Sequence, residues 1–267
     1  MQPMLNIALR AARKAGDLVA RAAEQVDRLQ IESKGENDFV TEIDRKSESE
    51  IIYHLKKAYP DHAFLGEESG ISGNPDSEYQ WIIDPIDGTT NFIRGIPHFC
   101  ISIACLHNGQ IEHAVVLDPI RREEFTASRG RGAQVNGRRV RVTSATSLDG
   151  ALIGTGIPFK ARSDQHIPAY MRSLEAVASE TAGIRRAGSA ALDLAYVAAG
   201  RLDGFWEIGL GKWDIAAGVL LVREAGGLIS DFQGGGSYLE TGNIVAANPK
   251  CLKGLLQAIK PHLEHIR

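Results

Sequence analysis

Apolar residues recur at helical spacing at the start of the chain. Leu5, Ala8, Ala12, Ala15 and Val19 predict a helix over residues 4–27. A second helix is predicted over 42–58 from Ile43, Ile51, Ile52 and Leu55, with Pro60 stopping it. Thr41 followed three residues on by Asp44 resembles a capping box at its start. The pattern then changes. Residues 63–68 read as a short strand ending in Glu67-Glu68, and 69–77 as a Gly- and Asn-containing surface loop. Residues 79–83, 99–106, 111–117 and 124–128 read as strands, with His107-Asn108-Gly109-Gln110 as a hairpin turn.

After residue 146 strands and helices alternate. Strands are predicted at 151–155, 205–208, 228–232 and 243–246, and helices at 166–180, 189–200, 213–226 and 249–260. The expected class is α/β: an α+β part over residues 1–145, with helices on a mostly antiparallel sheet, and an α/β part over 146–267. The boundary is placed in Thr143-Ser144-Ala145-Thr146-Ser147.

Composition adds little to this picture and excludes several classes. The 267 residues are 43% hydrophobic and 24% charged, enough for a packed core. A net charge of −3 argues against a bulk nucleic-acid binder. No apolar run approaches the roughly 20 residues that span a bilayer, and no signal peptide is read, so a cytoplasmic protein is expected. Cys100, Cys105 and Cys251 form no C-x-x-C pair and are expected to be core residues. On a strand, Cys100 and Cys105 would face opposite sides.

The chemistry concentrates in Trp81-Ile82-Ile83-Asp84-Pro85-Ile86-Asp87-Gly88-Thr89-Thr90-Asn91-Phe92. Two carboxylates three residues apart end an apolar strand, and oxygen ligands of this kind hold hard cations such as Mg²⁺. The following Gly-Thr-Thr turn can aim N–H groups and hydroxyls at an anion. Glu67-Glu68 is read either as a solvated pair or as functional groups presented at a strand end. Asp214, after Trp213, is read either as a helix N-cap or as the residue completing a carboxylate cage with Asp84, Asp87 and Glu67. Such a cage needs cations to offset the repulsion. There is no Walker A sequence, no G-x-S-x-G and no H-E-x-x-H.

Glu67-Glu68, the run from Asp84 to Phe92, and Trp213-Asp214 with Ala216, Ala217 and Gly218 resemble the motifs of the inositol monophosphatase family, in order and spacing. The segment from Asp38 to Asp44 resembles the family's early D-x-V-T-x-x-D run. The resemblance implies a layered α/β/α/β/α sandwich of the sugar-phosphatase type and Mg²⁺-dependent, Li⁺-inhibited hydrolysis of a phosphate ester, myo-inositol 1-phosphate. It implies two or three Mg²⁺ ions. Glu67, Asp84 and the carbonyl of Ile86 would hold the first, Asp84, Asp87 and Asp214 the second, and a weaker third would lie near Glu67. Thr89 with Glu68 or Asp44 would orient the attacking water. Asp87, Gly88, Thr89 and Asp214 would meet substrate, while Gly188, Ser189, Ala190 and Glu207 match positions facing the inositol ring. Fructose bisphosphate, a nucleotide 3′-phosphate or histidinol phosphate are alternative substrates on the same scaffold.

A second reading belongs to another class. A bacterial branch of the family, to which the stretch Arg186–Arg201 is similar, implies a role in ribosomal-RNA antitermination through binding NusA and RNA polymerase, and the family resemblance implies a homodimer. Arg121, Arg122, Arg129, Arg131, Arg138, Arg139 and Arg141, set against Glu123 and Glu124, form a basic stretch that can meet RNA or an acidic partner, or simply be a solvated sheet edge. Arg185-Arg186 is a smaller basic pair, read as a possible subunit contact.

Overall fold

The computed structural model describes residues 2–26, 31–35, 38–158, 163–263 and 265–266. The predicted end of the first helix, at residue 27, lies outside them. In chain order the elements are α1 (Pro3–Ala23), β1 (Ile31–Gly35), β2 (Asp38–Thr41), α2 (Glu42–Ala58), β3 (Ala63–Gly66), β4 (Gly70–Gly73), β5 (Tyr79–Asp87), α3 (Thr89–Ile93), β6 (Cys100–His107), β7 (Gln110–Asp118), β8 (Glu123–Ser128), β9 (Ala133–Val135) and β10 (Arg138–Val140). Then follow β11 (Leu152–Thr155), α4 (Ser163–Glu180), β12 (Gly183–Arg185), α5 (Ala190–Ala198), β13 (Gly204–Glu207), α6 (Lys212–Glu224), β14 (Leu228–Ser230), α7 (Tyr238–Thr241), β15 (Ile244–Ala247) and α8 (Pro249–Leu263).

Three sheets result. A hairpin pairs β1 with β2; eight strands run β10-β9-β8-β7-β6-β5-β3-β4; and five strands run β12-β11-β13-β15-β14. The large sheet is antiparallel except where β3 lies parallel to β5. The small sheet is mixed: β11 runs parallel to β12 and β13, and β15 antiparallel to β13 and β14.

The layers follow from which faces are apolar. α1 and α2 bury Leu5, Leu9, Ala12, Ile51 and Leu55 against the face of the large sheet that carries Trp81, Ile83, Ile101 and Val115. Its other face, with Ile82, Ala104, Ala114 and Val116, packs on α5 and α6. Both helices are buried along nearly their whole length, which is why Leu192, Leu194, Val219 and Leu221 are all sealed from solvent. The small sheet covers their far side, and its outer face buries Trp206, Val245 and Phe232 under α4 and α8. This is the five-layer α/β/α/β/α sandwich that the resemblance implies.

Alternation on β6 sends Cys100 to the inter-sheet core and Cys105 to the core under α1 and α2. All three cysteines are buried and unpaired. One expectation is corrected: the surface loop at 69–77 contains β4, an edge strand paired with β3. The arginine stretch contains the β9–β10 hairpin at the other edge of the large sheet, in keeping with its reading as a solvated sheet edge. Among the described residues no helix is long and apolar enough to cross a membrane.

Candidate active site

β5 brings the first two carboxylates together. Its pairing with β6 is regular to Asp84↔Ser102 and resumes at Asp87↔Cys100, so the register shifts between the two acids. Pro85, which has no N–H to give a ladder, sits inside this irregularity. Asp84 Oδ1 accepts the Ile86 N–H at 3.0 Å, which fixes the bend. Gly88 follows with φ +99°, and a Cβ there would meet the Gly188 and His98 carbonyl oxygens at 3.0 and 3.1 Å. Only glycine satisfies both the left-handed backbone and this close approach.

The second half of the chain delivers Asp214. The Ser102 hydroxyl, beside Asp84 across the β5–β6 pair, donates to the Trp213 carbonyl at 3.0 Å and docks the start of α6 against β5. Asp214 is the third residue of α6 rather than its N-cap, and Oδ2 reaches back to accept the Gly211 N–H at 2.6 Å. One carboxylate oxygen each from Asp84, Asp87 and Asp214 then lies within 4.8 Å of the others.

The electrostatic cost is visible. Burial, followed by repulsion from Glu67, Asp87 and Asp214, pushes the Asp84 carboxyl well up from its ordinary range. Burial and the nearby Asp87 and Glu67 do the same to Asp214. Asp87 is raised to about 6 by burial, held down by its hydrogen bonds from Ser189 and the Ala191 N–H. Both of those donors reach Asp87 Oδ2 at 2.7 Å. Three oxygen donors that repel one another, on the buried Asp84 and Asp87 and the half-buried Asp214, match the charge and hardness of a divalent cation such as Mg²⁺.

Asp44, Thr89 and Ile86 form the next group. Asp44 is sealed from solvent, accepts the Thr41 N–H and hydroxyl at 2.8 and 2.6 Å on Oδ2, and completes the capping box of α2. Its Oδ1 lies 3.0 Å from the Thr89 hydroxyl, which also lies 3.0 Å from the Ile86 carbonyl. Burial raises the Asp44 carboxyl. Glu67 and Glu68 follow β3, next to β5, and Glu67 is close enough to Asp84 and Asp214 to raise both.

Gly188, Ser189 and Ala190 lead into α5. The Ser189 side chain is buried and spends its hydroxyl proton on Asp87. Glu207 ends β13 with its carboxyl raised well up by burial and by Asp193, Asp214 and Asp87, an effect that Arg186 opposes. Its carboxylate fills the space beside Gly156, where a Cβ would come within 1.8 Å. Asp38 marks the start of β2. The arginines stand elsewhere. All seven from Arg121 to Arg141 are exposed on the β8–β10 end of the large sheet. Glu123 and Glu124 pair with Arg201 and Arg13 from other segments. Arg121 and Arg129 are held by Asp118 and Glu112.

Several supporting residues escaped the sequence reading. Asn91 Nδ2 donates to the His98 and Ala187 carbonyls at 2.7 and 2.8 Å and ties the turn after Asp87 to the approach to α5. His98 Nε2 meets the buried Asp193 at 3.2 Å. Ser47 donates to the Pro85 carbonyl at 3.1 Å, and Glu48 accepts two backbone N–H groups. The available signal was position: Asp44, Ser47 and Glu48 continue the buried stripe of Ile51 and Leu55 on α2, where polar residues have to be partnered.

Residues 1–264 match the sequence model of the inositol monophosphatase family. The chain belongs to that family. Its relatives include the Nus factor SuhB of Pseudomonas aeruginosa, 59% identical over 265 residues that cover 98% of each chain. The crystal structure of the extragenic suppressor protein suhB from Bartonella henselae superposes with a TM-score of 0.94 at 46% identity, over 97% of this chain and 99% of that one. The inositol monophosphatase of Anabaena superposes with a TM-score of 0.85 at 37% identity, over 98% and 96%. This chain is accordingly a phosphatase of the inositol monophosphatase family.

Proposed function

We propose that the chain is a Mg²⁺-dependent phosphomonoesterase that hydrolyses myo-inositol 1-phosphate to inositol and phosphate. The observation that carries this reading is the cluster of three carboxylate oxygens within 4.8 Å, whose repulsion a divalent cation would relieve. Glu67, Asp84 and the Ile86 carbonyl would hold one ion, Asp84, Asp87 and Asp214 a second, with a weaker third near Glu67. When bound, such ions supply Lewis-acid stabilisation of phosphoryl charge and acidify water.

The chain's own residues do the rest. Thr89 has one hydroxyl proton, directed at Asp44 or at the Ile86 carbonyl, so its lone pairs remain available to accept a hydrogen bond from the attacking water and orient it. Asp44, or Glu68, is the carboxylate that supports this orientation. Gly88 and Thr89 face the phosphate, and Gly188, Ala190, Glu207 and Asp214 the inositol hydroxyls. Ser189 acts on that side through Asp87, which it holds. Phosphate release from a panel of inositol, sugar and nucleotide phosphates, with Mg²⁺ and with EDTA, tests the reading. Mg²⁺-dependent turnover of inositol 1-phosphate is expected, and a panel without any Mg²⁺-dependent hydrolysis would sink it. The reading includes a cytoplasmic homodimer inhibited by Li⁺, which size-exclusion chromatography and the same assay check.

A second function is favoured by the Nus factor name of a 59% identical relative. In this reading the chain also serves ribosomal-RNA antitermination by binding NusA and RNA polymerase. The exposed Arg122, Arg131, Arg138, Arg139 and Arg141 supply a basic surface for it. Pull-down of NusA by the purified chain tests it, and no binding at low salt would remove it.

A further inference from the structure

We infer that Glu48 is a positioning residue of the metal centre, acting through the backbone that carries Glu67 and Glu68. The inference rests on the reading of Glu67 as a metal ligand. Glu48 lies on the buried face of α2, one turn after Asp44, and its side chain is 2% exposed. Oε2 accepts the Glu68 N–H and Oε1 the Ser69 N–H, both at 2.9 Å. The carboxylate thus clamps two consecutive amides, as an anion is held by successive N–H groups in a turn.

The neighbouring geometry is built around that clamp. A Cβ at Gly66 would fall 2.4 Å from the Glu48 carboxylate, so glycine there makes room for it. The Glu67 N–H is held by the Ile83 carbonyl at 3.1 Å, one residue before Asp84. Glu67 therefore stands between two fixed points, the β5 backbone on one side and Glu48 on the other. Ser47, next to Glu48 on the same helix, holds the Pro85 carbonyl at 3.1 Å, and Asp44 holds Thr89. One helix face thereby sets three separate segments of the site relative to one another. Asp44 and Ser47 fix the β5 end, and Glu48 fixes the β3 end.

A side chain that orients a metal ligand without touching the metal typically changes metal affinity about 10–100-fold when removed. Glu48→Gln keeps the shape but sets an amide N–H₂ against one backbone N–H. Binding of Mg²⁺ alone, followed by calorimetry, should weaken about tenfold in Glu48→Gln. Turnover of inositol 1-phosphate should recover toward the parent value as Mg²⁺ is raised. Gly66→Ala, which pushes on the same carboxylate from the other side, should shift the Mg²⁺ affinity in the same direction. Ile51→Val, on the same buried face, should lower the melting temperature and leave Mg²⁺ affinity unchanged. Glu67→Gln serves as the reference ligand variant. Parent-like Mg²⁺ affinity in a folded Glu48→Gln, with Glu67→Gln impaired, overturns the proposal while leaving the metal centre intact. An equal shift in Ile51→Val also overturns it, since general loosening would then be enough. Parent-like affinity in Glu67→Gln instead removes Glu67 from the ligand set, and a parent protein that binds no Mg²⁺ fails the functional reading itself.

Discussion

The acidic cluster and the exposed arginine edge are both highly charged, and they obey different physics. At the cluster, Asp84 and Asp87 are nearly sealed from water, every neighbour is felt, and carboxyl groups rise far from their ordinary range. At the arginine edge the side chains stand in solvent, where salt screens them and each contributes little. Charge in the first region acts as a cooperative unit held by hydrogen bonds. In the second it acts as a field. The same kind of substitution should therefore give steep and mutually dependent effects at the cluster, and shallow, additive, salt-sensitive effects at the edge.

The largest expected effect is at the cluster. Asp87→Asn or Asp214→Asn should lower inositol 1-phosphate turnover about 10²–10³-fold at saturating Mg²⁺, the scale of losing one preorganised electrostatic group. With EDTA present the same variants should melt no lower than the parent, because each removes a repelled charge. Near-parent rates in both variants would break the comparison at its strongest point. Thr89→Val, which keeps the shape and loses the hydroxyl, should cost about 10²-fold through a misplaced water. Unchanged kcat and KM would exclude that role.

The cluster should also announce itself through pH. Asp87 titrates at about 6 in the fold, against a value near 4 for an unfolded aspartate. The folded protein therefore binds this proton more tightly than the unfolded chain. Its stabilising contribution is fully present below about pH 4 and is lost as the pH rises through about 6. Asp84, Asp214 and Glu207, raised in the same direction by burial and neighbouring carboxylates, add to that loss. Melting in EDTA should thus fall between pH 5 and 8, and Mg²⁺ at a hundred times its dissociation constant should restore about 2.7 kcal/mol. A metal-free protein equally stable at both values would contradict the repulsion inferred at the site. The smallest effect is expected at the edge: reversing Arg138 and Arg139 to Glu should weaken NusA binding several-fold at low salt, less at high salt, with phosphate release unchanged. Loss of binding in Asp87→Asn with retention in the arginine variants would invert the assignment.

Much of this contrast is legible in the sequence, and the gaps have physical causes. The α2 capping box was readable because Thr41 and Asp44 are three residues apart and interact locally. β4 was not, since Gly70 and Gly73 look like loop residues and only pairing with β3 makes the segment a strand. The β9–β10 hairpin carries its own turn signal in Asn136-Gly137, set within a run of arginines that itself suggests a solvated edge. Motifs located the acids, because their chemistry is carried by side-chain type. The residues that hold them, Ser102, Asn91 and Glu48, are hidden, because their partners are backbone atoms as far as 111 positions away. Nothing local distinguishes such a serine or asparagine from one facing solvent.

Asp44 spends its two carboxylate oxygens on two tasks, closing the first turn of α2 and receiving the Thr89 hydroxyl. The helix start and the candidate site therefore share a single fastening. Deuterium uptake at the Thr41 amide, whose proton is bound to Asp44, becomes a readout of the site's integrity that needs neither substrate nor turnover. Any change that unseats Thr89 should hasten exchange at the far end of that carboxylate, and a frayed helix start should blunt the site before the rest of the fold yields.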